Sequence, residues 1–395
     1  MKVLKWGKQE EYFFALDIGT NAFKGLLWKK EGGKIIALKT FLRYFKELGE
    51  LFEGQFSEED FVRKAVLKTI EELGEKDNFL KKLQYIFLSL PGTVIKNEIF
   101  FITFEREASA EKITIQEAEA LVKNIKVSAQ KEIAQAFSKK TGILEKDLHF
   151  LDSEILEIKI DGYEISQLVG FSGRRMDFAV LFTFLLRYDL EKIRNIFRNL
   201  NPRILKISSP YQNFVSVLGD KILSALFLDI GGKISHVVVI QKGRIQRISQ
   251  FLGGGDEFSQ TLSQNLGISA SEAEDLKIRY SKKLLSENVR KRIGEFFSPV
   301  IQNWFSSLKS TLQEIQGTAI ILPPNIFIFG GGSLLPEVEE ILREGDWNGL
   351  PFLKKPEVKF LLPRDFKNLG GESKVFTNPQ YTPLFLIPYA KPKIF

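Results

Sequence analysis

The stretch YFFALDIGTNAFKGLLWKK, residues 12–30, reads as an apolar strand that ends on Asp17, a Gly-Thr turn, and a second strand. The Gly32-Gly33 pair then turns the chain into a third strand, KIIALKTFLRY, residues 34–44. The same order returns from residue 223: a strand, LSALFLDI, the turn at Gly231-Gly232, a strand, ISHVVVIQ, the turn at Lys242-Gly243, and a strand, RIQRISQFL. Each meander's first strand closes on Asp-Ile-Gly, and a repeat of this kind predicts two related lobes facing each other.

The segments between the meanders are of mixed type. Residues 57–75 have helical periodicity, with Phe61, Val62, Ala65, Val66 and Ile70 on one stripe, and Tyr85 to Leu90 is a short buried strand before Pro91-Gly92. Residues 97–187 read as an inserted α+β unit: a strand at IFFITFE, a helix from Ile115 to Lys140, and strands at HFLDSEILEIKI and MDFAVLFTFLL. One helix is expected from Leu190 to Leu200 and another after Pro210. Gly253-Gly254-Gly255-Asp256 looks like a turn and helix start, with helices to about Ile315. A buried strand, NIFIFGG, and a helix, PEVEEILREG, follow, and VKFLLP with NPQYTPLFLIPYA is expected to complete the first lobe. The expected division is 1–96 with 188–218 and 358–395 as the first lobe, and 97–187 as its insert. Residues 219–253 with 319–357 form the second lobe, and 254–318 its helical part.

Composition excludes several chemistries. The chain of 395 residues is 44% hydrophobic and has no cysteine, so it can bury more than one core and cannot use disulfides or thiol catalysis. Its net charge of +7 comes from basic residues interleaved with acidic ones, the pattern of solvated helix faces, and no nucleic-acid partner is expected. The two histidines, His149 and His236, have no ligand spacing. No apolar run is long enough for a signal peptide or a membrane span, so a cytoplasmic location is expected.

Three strand ends carry the candidate chemistry. Asp17-Ile18-Gly19-Thr20-Asn21, with Lys24, puts a carboxylate beside a turn whose N–H groups and hydroxyl can meet phosphate oxygens. A carboxylate there needs a cation between it and phosphate, and hydrated Mg²⁺ suits that place; Lys24 adds a compact positive charge. Asp229-Ile230-Gly231-Gly232 presents the same arrangement from the other lobe, followed by Lys233 and Ser235. Gly330-Gly331-Gly332-Ser333 follows a third apolar strand and opens a helix, a turn that lets a flat base or a phosphate approach backbone. Glu274 and Lys277, three apart in ASEAEDLK, share a helix face, either toward ribose and base or as an ordinary exposed ion pair.

This order of motifs resembles the superfamily of actin, sugar kinases and heat-shock chaperone ATPases, and within it the FtsA branch of bacterial cell-division proteins. The resemblance covers nearly the whole chain. Asp17 to Lys24 is similar to the family's first phosphate loop, Asp229 to Ser235 to the second, Gly330 to Ser333 to the adenosine loop, and Ala273-Glu274 with Lys277 to the nucleotide-side helix. LVGFSGRRMDF, residues 168–178, and the place of the insert are similar to FtsA in particular.

The resemblance implies a two-lobed, actin-like (ribonuclease-H-like) α/β fold with an α+β insert in lobe 1 and a helical insertion in lobe 2. It implies ATP and Mg²⁺ in the cleft, with Asp17 and Asp229 reaching the metal through water, self-assembly into filaments, and docking of the FtsZ C-terminal tail on residues 256–318. In VRKRIGEFFSPVIQNWFSSLK, residues 289–309, Arg290, Lys291 and Arg292 stand beside aromatics that either seat an acidic-hydrophobic peptide or pack in their own core. Two departures bear on function. The second loop continues as Lys233-Ile234-Ser235-His236 instead of with glycine and threonines, so binding without efficient hydrolysis is expected and no general base stands out. The chain stops at PYAKPKIF with no amphipathic helix, so membrane attachment is expected through a partner, with weak lipid contact by Lys391, Lys393, Ile394 and Phe395 or by Lys2, Lys5, Trp6 and Lys8 as the alternative. PilM, the type IV pilus relative of FtsA, fits GISASEAEDLK equally well, and a sugar or acetate kinase shares the phosphate loops but lacks a recognisable substrate-side carboxylate here.

Overall fold

A strand covered on both faces reads as an unbroken apolar run, and YFFALDI is one: every residue after Tyr12 is buried. The computed structural model describes residues 12–44, 83–197, 205–218, 222–316, 321–371 and 374–389. The stripe expected at 57–75 and the basic residues at both chain ends lie outside the described residues.

The strands are β1 (Tyr12–Ile18), β2 (Ala22–Glu31), β3 (Lys34–Tyr44), β4 (Leu83–Ser89), β5 (Lys96–Glu105), β6 (Leu148–Ile160), β7 (Tyr163–Ile165), β8 (Arg175–Leu186), β9 (Leu205–Ile207), β10 (Ala225–Ile230), β11 (Ile234–Gln241), β12 (Arg244–Leu252), β13 (Asn325–Phe329), β14 (Glu357–Phe360) and β15 (Leu369–Gly370). The described helices are α1 (Ile115–Thr141), α2 (Arg187–Ile196), α3 (Phe214–Leu218), α4 (Gly255–Leu266), α5 (Ala270–Ser281), α6 (Glu287–Gln316), α7 (Pro336–Glu344) and α8 (Thr382–Leu386).

The repeat read from the sequence is a repeat of topology. One sheet runs β15-β3-β2-β1-β4-β9 and the other β12-β11-β10-β13-β14. In both, the first strand of the meander is antiparallel to the second and parallel to a later strand, β4 or β13. In an open α/β sheet, ligands collect at the carboxyl ends of such strands. Both Asp-Ile-Gly turns lie there.

The insert is a four-stranded antiparallel sheet, β5-β8-β6-β7, with α1 on one face. Thr114 caps α1 by accepting from the Glu117 N–H, and Gly142 ends it in the left-handed conformation, φ 77°. Ala118, Leu121, Ile125, Ala129 and Ile133 follow helical spacing onto Met176, Phe178, Val180, Phe182 and Phe184, which alternate along β8. The other sheet face reaches the second lobe: Arg244 pairs with Glu164 and lies 3.9 Å from Glu157, and the Arg247 guanidinium stands 5.0 Å over the Phe101 ring.

One expectation is corrected. VKFLLP does not complete the first lobe: its strand, β14, pairs in parallel with β13 and edges the second sheet. Residues 382–386 pack on β1 and β2 of the first sheet, and Leu384, Phe385 and Leu386 belong to a core that holds Ala15, Leu26 and Trp28 of that sheet and extends to Phe227, Val238 and Phe329 of the second. Of the two readings of the α6 aromatics, packing in their own core holds for most: Phe297, Trp304 and Phe305 are buried with Ile293, Ile301 and Leu308 against the second sheet, as an apolar stripe of helical period predicts. Phe296 alone of these is half-buried, with the Arg292 guanidinium 5.8 Å from its ring. A short strand also went unread, since β9 is three residues long and, among the described residues, pairs with β4 alone.

Candidate functional site

Asp17 and Asp229 occupy equivalent places. Asp17 lies opposite Lys24 in the β1–β2 register, and Asp229 opposite His236 in β10–β11. Each is followed by a tight turn closed by a glycine N–H: Gly19 donates to the Ala22 carbonyl at 2.9 Å, and Gly231 to the Ile234 carbonyl at 3.1 Å. The two turns face each other. A Cβ on Gly232 would lie 2.0 Å from Thr20 Oγ1, and the Asn21 amide donates across the gap to Asp256 at the start of α4.

The third strand end completes the enclosure. Gly330 has φ +87°, and a Cβ there would sit 2.4 Å from Asp229 Oδ1, so the close approach and the backbone conformation both call for glycine. Lys277 Nζ pairs with Glu274 Oε2 at 2.6 Å and donates to the Gly255 carbonyl at 2.9 Å; Ser259 donates to the same carboxylate at 2.6 Å. The pair is thus not an exposed one: Lys277 is buried and Glu274 half-buried.

Together these elements enclose a cavity of about 190 Å³. Its lining includes Asp17, Gly19, Thr20, Asn21, Lys24, Asp229, Gly231, Gly232, Lys233, Glu274, Lys277, Gly330, Gly331 and Gly332. Ser235 and Ser333 are not among them. Side chains alternate along a strand, so with Ile234 and His236 in the cavity wall Ser235 points away; its hydroxyl donates to the Gly253 carbonyl at 2.8 Å and accepts from Trp304 Nε1 at 3.0 Å. Ser333 donates to the Gly330 carbonyl at 2.7 Å and closes its own turn. Lys24 is not a free cation either, since Nζ lies 2.8 Å from Asp17 Oδ2.

Burial sets the electrostatics. It pushes the Asp229 carboxyl up to about 7; the Tyr211 hydrogen bond and Lys24 pull down, and the Asp17 charge pushes further up. Burial also works against the Lys24 ammonium, but the charge and hydrogen bond of Asp17, with Asp229, hold it above its ordinary value. His236 is pulled down to about 3 by burial, then by Lys96, with Gln250 acting the other way, so the imidazole is neutral at neutral pH. Among the described residues its Nε2 and the Thr93 hydroxyl, both of residues that line the cavity, are buried without a hydrogen-bond partner.

A divalent cation with an anionic ligand fits this donor set. Two buried carboxylates share one ammonium, and a second positive charge would relieve the desolvation that raises Asp229. Backbone turns and the ammonium groups of Lys24, Lys233, Lys277 and Lys282 line the remaining wall, a setting for phosphate oxygens. Tyr211, His236, Asp256 and the Pro91-Gly92-Thr93 turn belong to the site or its rim and were not singled out as such from the sequence. One signal could have found the turn: β4 is the parallel neighbour of β1, so its end opens on the same edge.

No family model matches the chain. Among curated proteins, the cell division protein FtsA of Streptococcus pneumoniae is 23% identical over 359 residues, covering 85% of this chain and 74% of that protein. FtsA of Staphylococcus epidermidis is 19% identical over 85% of this chain and 73% of its own length. Among solved structures, the PilM-PilN type IV pilus biogenesis complex superposes with a TM-score of 0.66 over 96% of this chain and 98% of the other, at 16% identity. The chain is similar to FtsA over most of its length and has an actin-like fold. No helix among the described residues is long and apolar enough to cross a membrane.

Proposed function

We propose that the cleft binds ATP with Mg²⁺ and that the bound nucleotide controls assembly instead of serving fast chemistry. The observation that carries this reading is the pair of buried carboxylates, Asp17 and Asp229, at matching strand ends with a glycine turn beside each and Lys24 between. Mg²⁺ would supply charge neutralisation for the phosphates, held through water by the two carboxylates. Thr20, Asn21 and the backbone at Gly19, Gly231 and Gly232 would receive phosphate oxygens, and Lys24 would turn from Asp17 toward them. Glu274 and Lys277 would meet the ribose, and Gly330 to Gly332 the base. Ser235 and Ser333 have no part in it.

In this reading the protein is a division scaffold that forms filaments, receives the FtsZ C-terminal tail on the α4–α6 surface and reaches the membrane through a partner. The lobes, insert and helical part are its units, with β14 assigned to the second lobe. Calorimetry with Mg-ATP tests the site: Asp17→Ala and Asp229→Ala are each expected to weaken binding, and unchanged affinity in both refutes the assignment. Pelleting and negative-stain microscopy with ATP and lipid test assembly, and persistent monomers remove the filament. A broad kinase panel covers the remaining class, because rapid transfer to a small molecule would displace the scaffold reading.

The likeness to PilM over nearly the full chain favours a second reading, a pilus assembly protein with the same cleft. Binding of an FtsZ tail peptide against binding of PilN separates the two.

A further inference from the structure

Tyr211 lies in the short turn Pro210–Asn213, after the first sheet's strand β9, yet its hydroxyl donates to Asp229 Oδ2 in the second sheet at 2.8 Å. Tyr211 is 4% exposed, packs its ring against His236 at a 41° tilt with centroids 4.8 Å apart, and lines the cavity. On the other side of the same carboxylate, Gly330 backbone approaches Oδ1 so closely that no Cβ fits. Asp229 is therefore fixed from both sides, by a glycine of its own lobe and by a hydroxyl from the other.

The neighbouring residue ties this turn to the insert. Gln212 Nε2 donates to Thr183 Oγ1 at 2.7 Å, and Thr183 donates to Asn97 Oδ1 at 3.0 Å. Thr183 is 1% exposed, and Thr183 and Asn97 face each other at the root of the inserted sheet, where β5 leaves the first lobe and β8 returns. Asn213 completes the anchoring by donating to the Leu386 carbonyl at 3.1 Å. A tyrosine needed only to fill space would require one partner for its hydroxyl and no such framework.

We propose that Tyr211 is a positioning residue for the cation-side carboxylate Asp229, and that the root of the inserted sheet sets its place through Gln212 and Thr183. The inference rests on the nucleotide reading above and deepens it: cation affinity at the cleft depends on how the insert is seated. Tyr211 touches neither phosphate nor base in this scheme and acts through Asp229 alone.

The test separates metal-dependent from metal-free binding. Calorimetry on the full chain compares ATP with Mg²⁺ and ATP with EDTA for wild type and Tyr211→Phe, with a thermal melt of each. Loss of a hydrogen bond to a charged group is expected to weaken Mg-ATP about tenfold and to leave metal-free ATP within about twofold. Unchanged Mg-ATP affinity overturns the proposal, and so does an equal loss of both forms, which is what mere structural damage would give. If Tyr211→Phe does not fold, Thr183→Val and Thr183→Ser decide: the valine variant reproduces a smaller, metal-specific loss of about threefold and the serine variant restores wild-type binding. A valine variant indistinguishable from wild type overturns the role of the insert. Wild type that binds neither form fails the nucleotide reading itself, whereas wild type that binds both with Tyr211→Phe unchanged fails only this inference.

Discussion

A Cβ built on Gly92 would lie 2.3 Å from Nε2 of His236, so a loop of the first lobe passes a second-lobe imidazole with no room for a side chain. The imidazole cannot swing aside freely, because the Tyr211 ring packs against it and it is 6% exposed.

Gly92→Ala should therefore push the lobes apart at the cavity wall. Overpacking of this kind costs about 1–3 kcal/mol, so the variant is expected to melt lower and to gain less stability from Mg-ATP. Melts with and without nucleotide that match wild type would show that the contact is slack.

His236 gives a pH dependence. Its pKa falls from an ordinary 6.5 to about 3 in the folded protein, so the folded state binds fewer protons than the unfolded chain between those values. Its contribution is fully present above about 6.5 and is lost as pH falls toward 3. His236→Gln cannot titrate, and its urea midpoint should fall less steeply across that window than that of wild type; parallel profiles would assign acid sensitivity elsewhere.

Ser235 separates architecture from ligand contact. With its hydroxyl between the Gly253 carbonyl and Trp304 Nε1, Ser235→Ala leaves two buried polar groups unpaired. The expected loss is about 1–3 kcal/mol of stability by denaturant melt, with Mg-ATP affinity unchanged. A selective loss of nucleotide affinity at full stability would return Ser235 to the binding set.

Arg244 clips the insert to the second lobe through Glu164 and Glu157, and all three side chains keep partial solvent access. Pairs of this exposure contribute about 0.2–1 kcal/mol. Arg244→Ala is thus expected to leave global stability nearly intact while hydrogen exchange at Tyr163–Ile165 quickens, and high salt should mimic it. Exchange unaffected by either change would mean the insert is held by its apolar face alone.

What the sequence disclosed follows physical range. The two meanders were legible because their strands are uniformly apolar and each break carries glycine or a tight turn, signals confined to a few residues. The cavity's lining was legible for the same reason, since each loop sits at the end of such a strand. Ser235 was misread because loop membership says nothing of side-chain direction, which the β11 pleat decides. Tyr211, Asp256 and Gly92 acquire meaning only from partners on distant segments, and β14 was misassigned because a short apolar strand can join either sheet's edge.

The core shared by the two sheets has a consequence for biosynthesis. Leu384, Phe385 and Leu386 are the last-made members of that core, after Tyr211, Phe214, Phe227 and Phe329. Phe214 stacks on Phe227 with centroids 4.6 Å apart, so the two sheets share an interior before the segment from Pro379 emerges. The final turns of the chain therefore seal an interface already begun, and the order of synthesis matches the order in which the walls can meet.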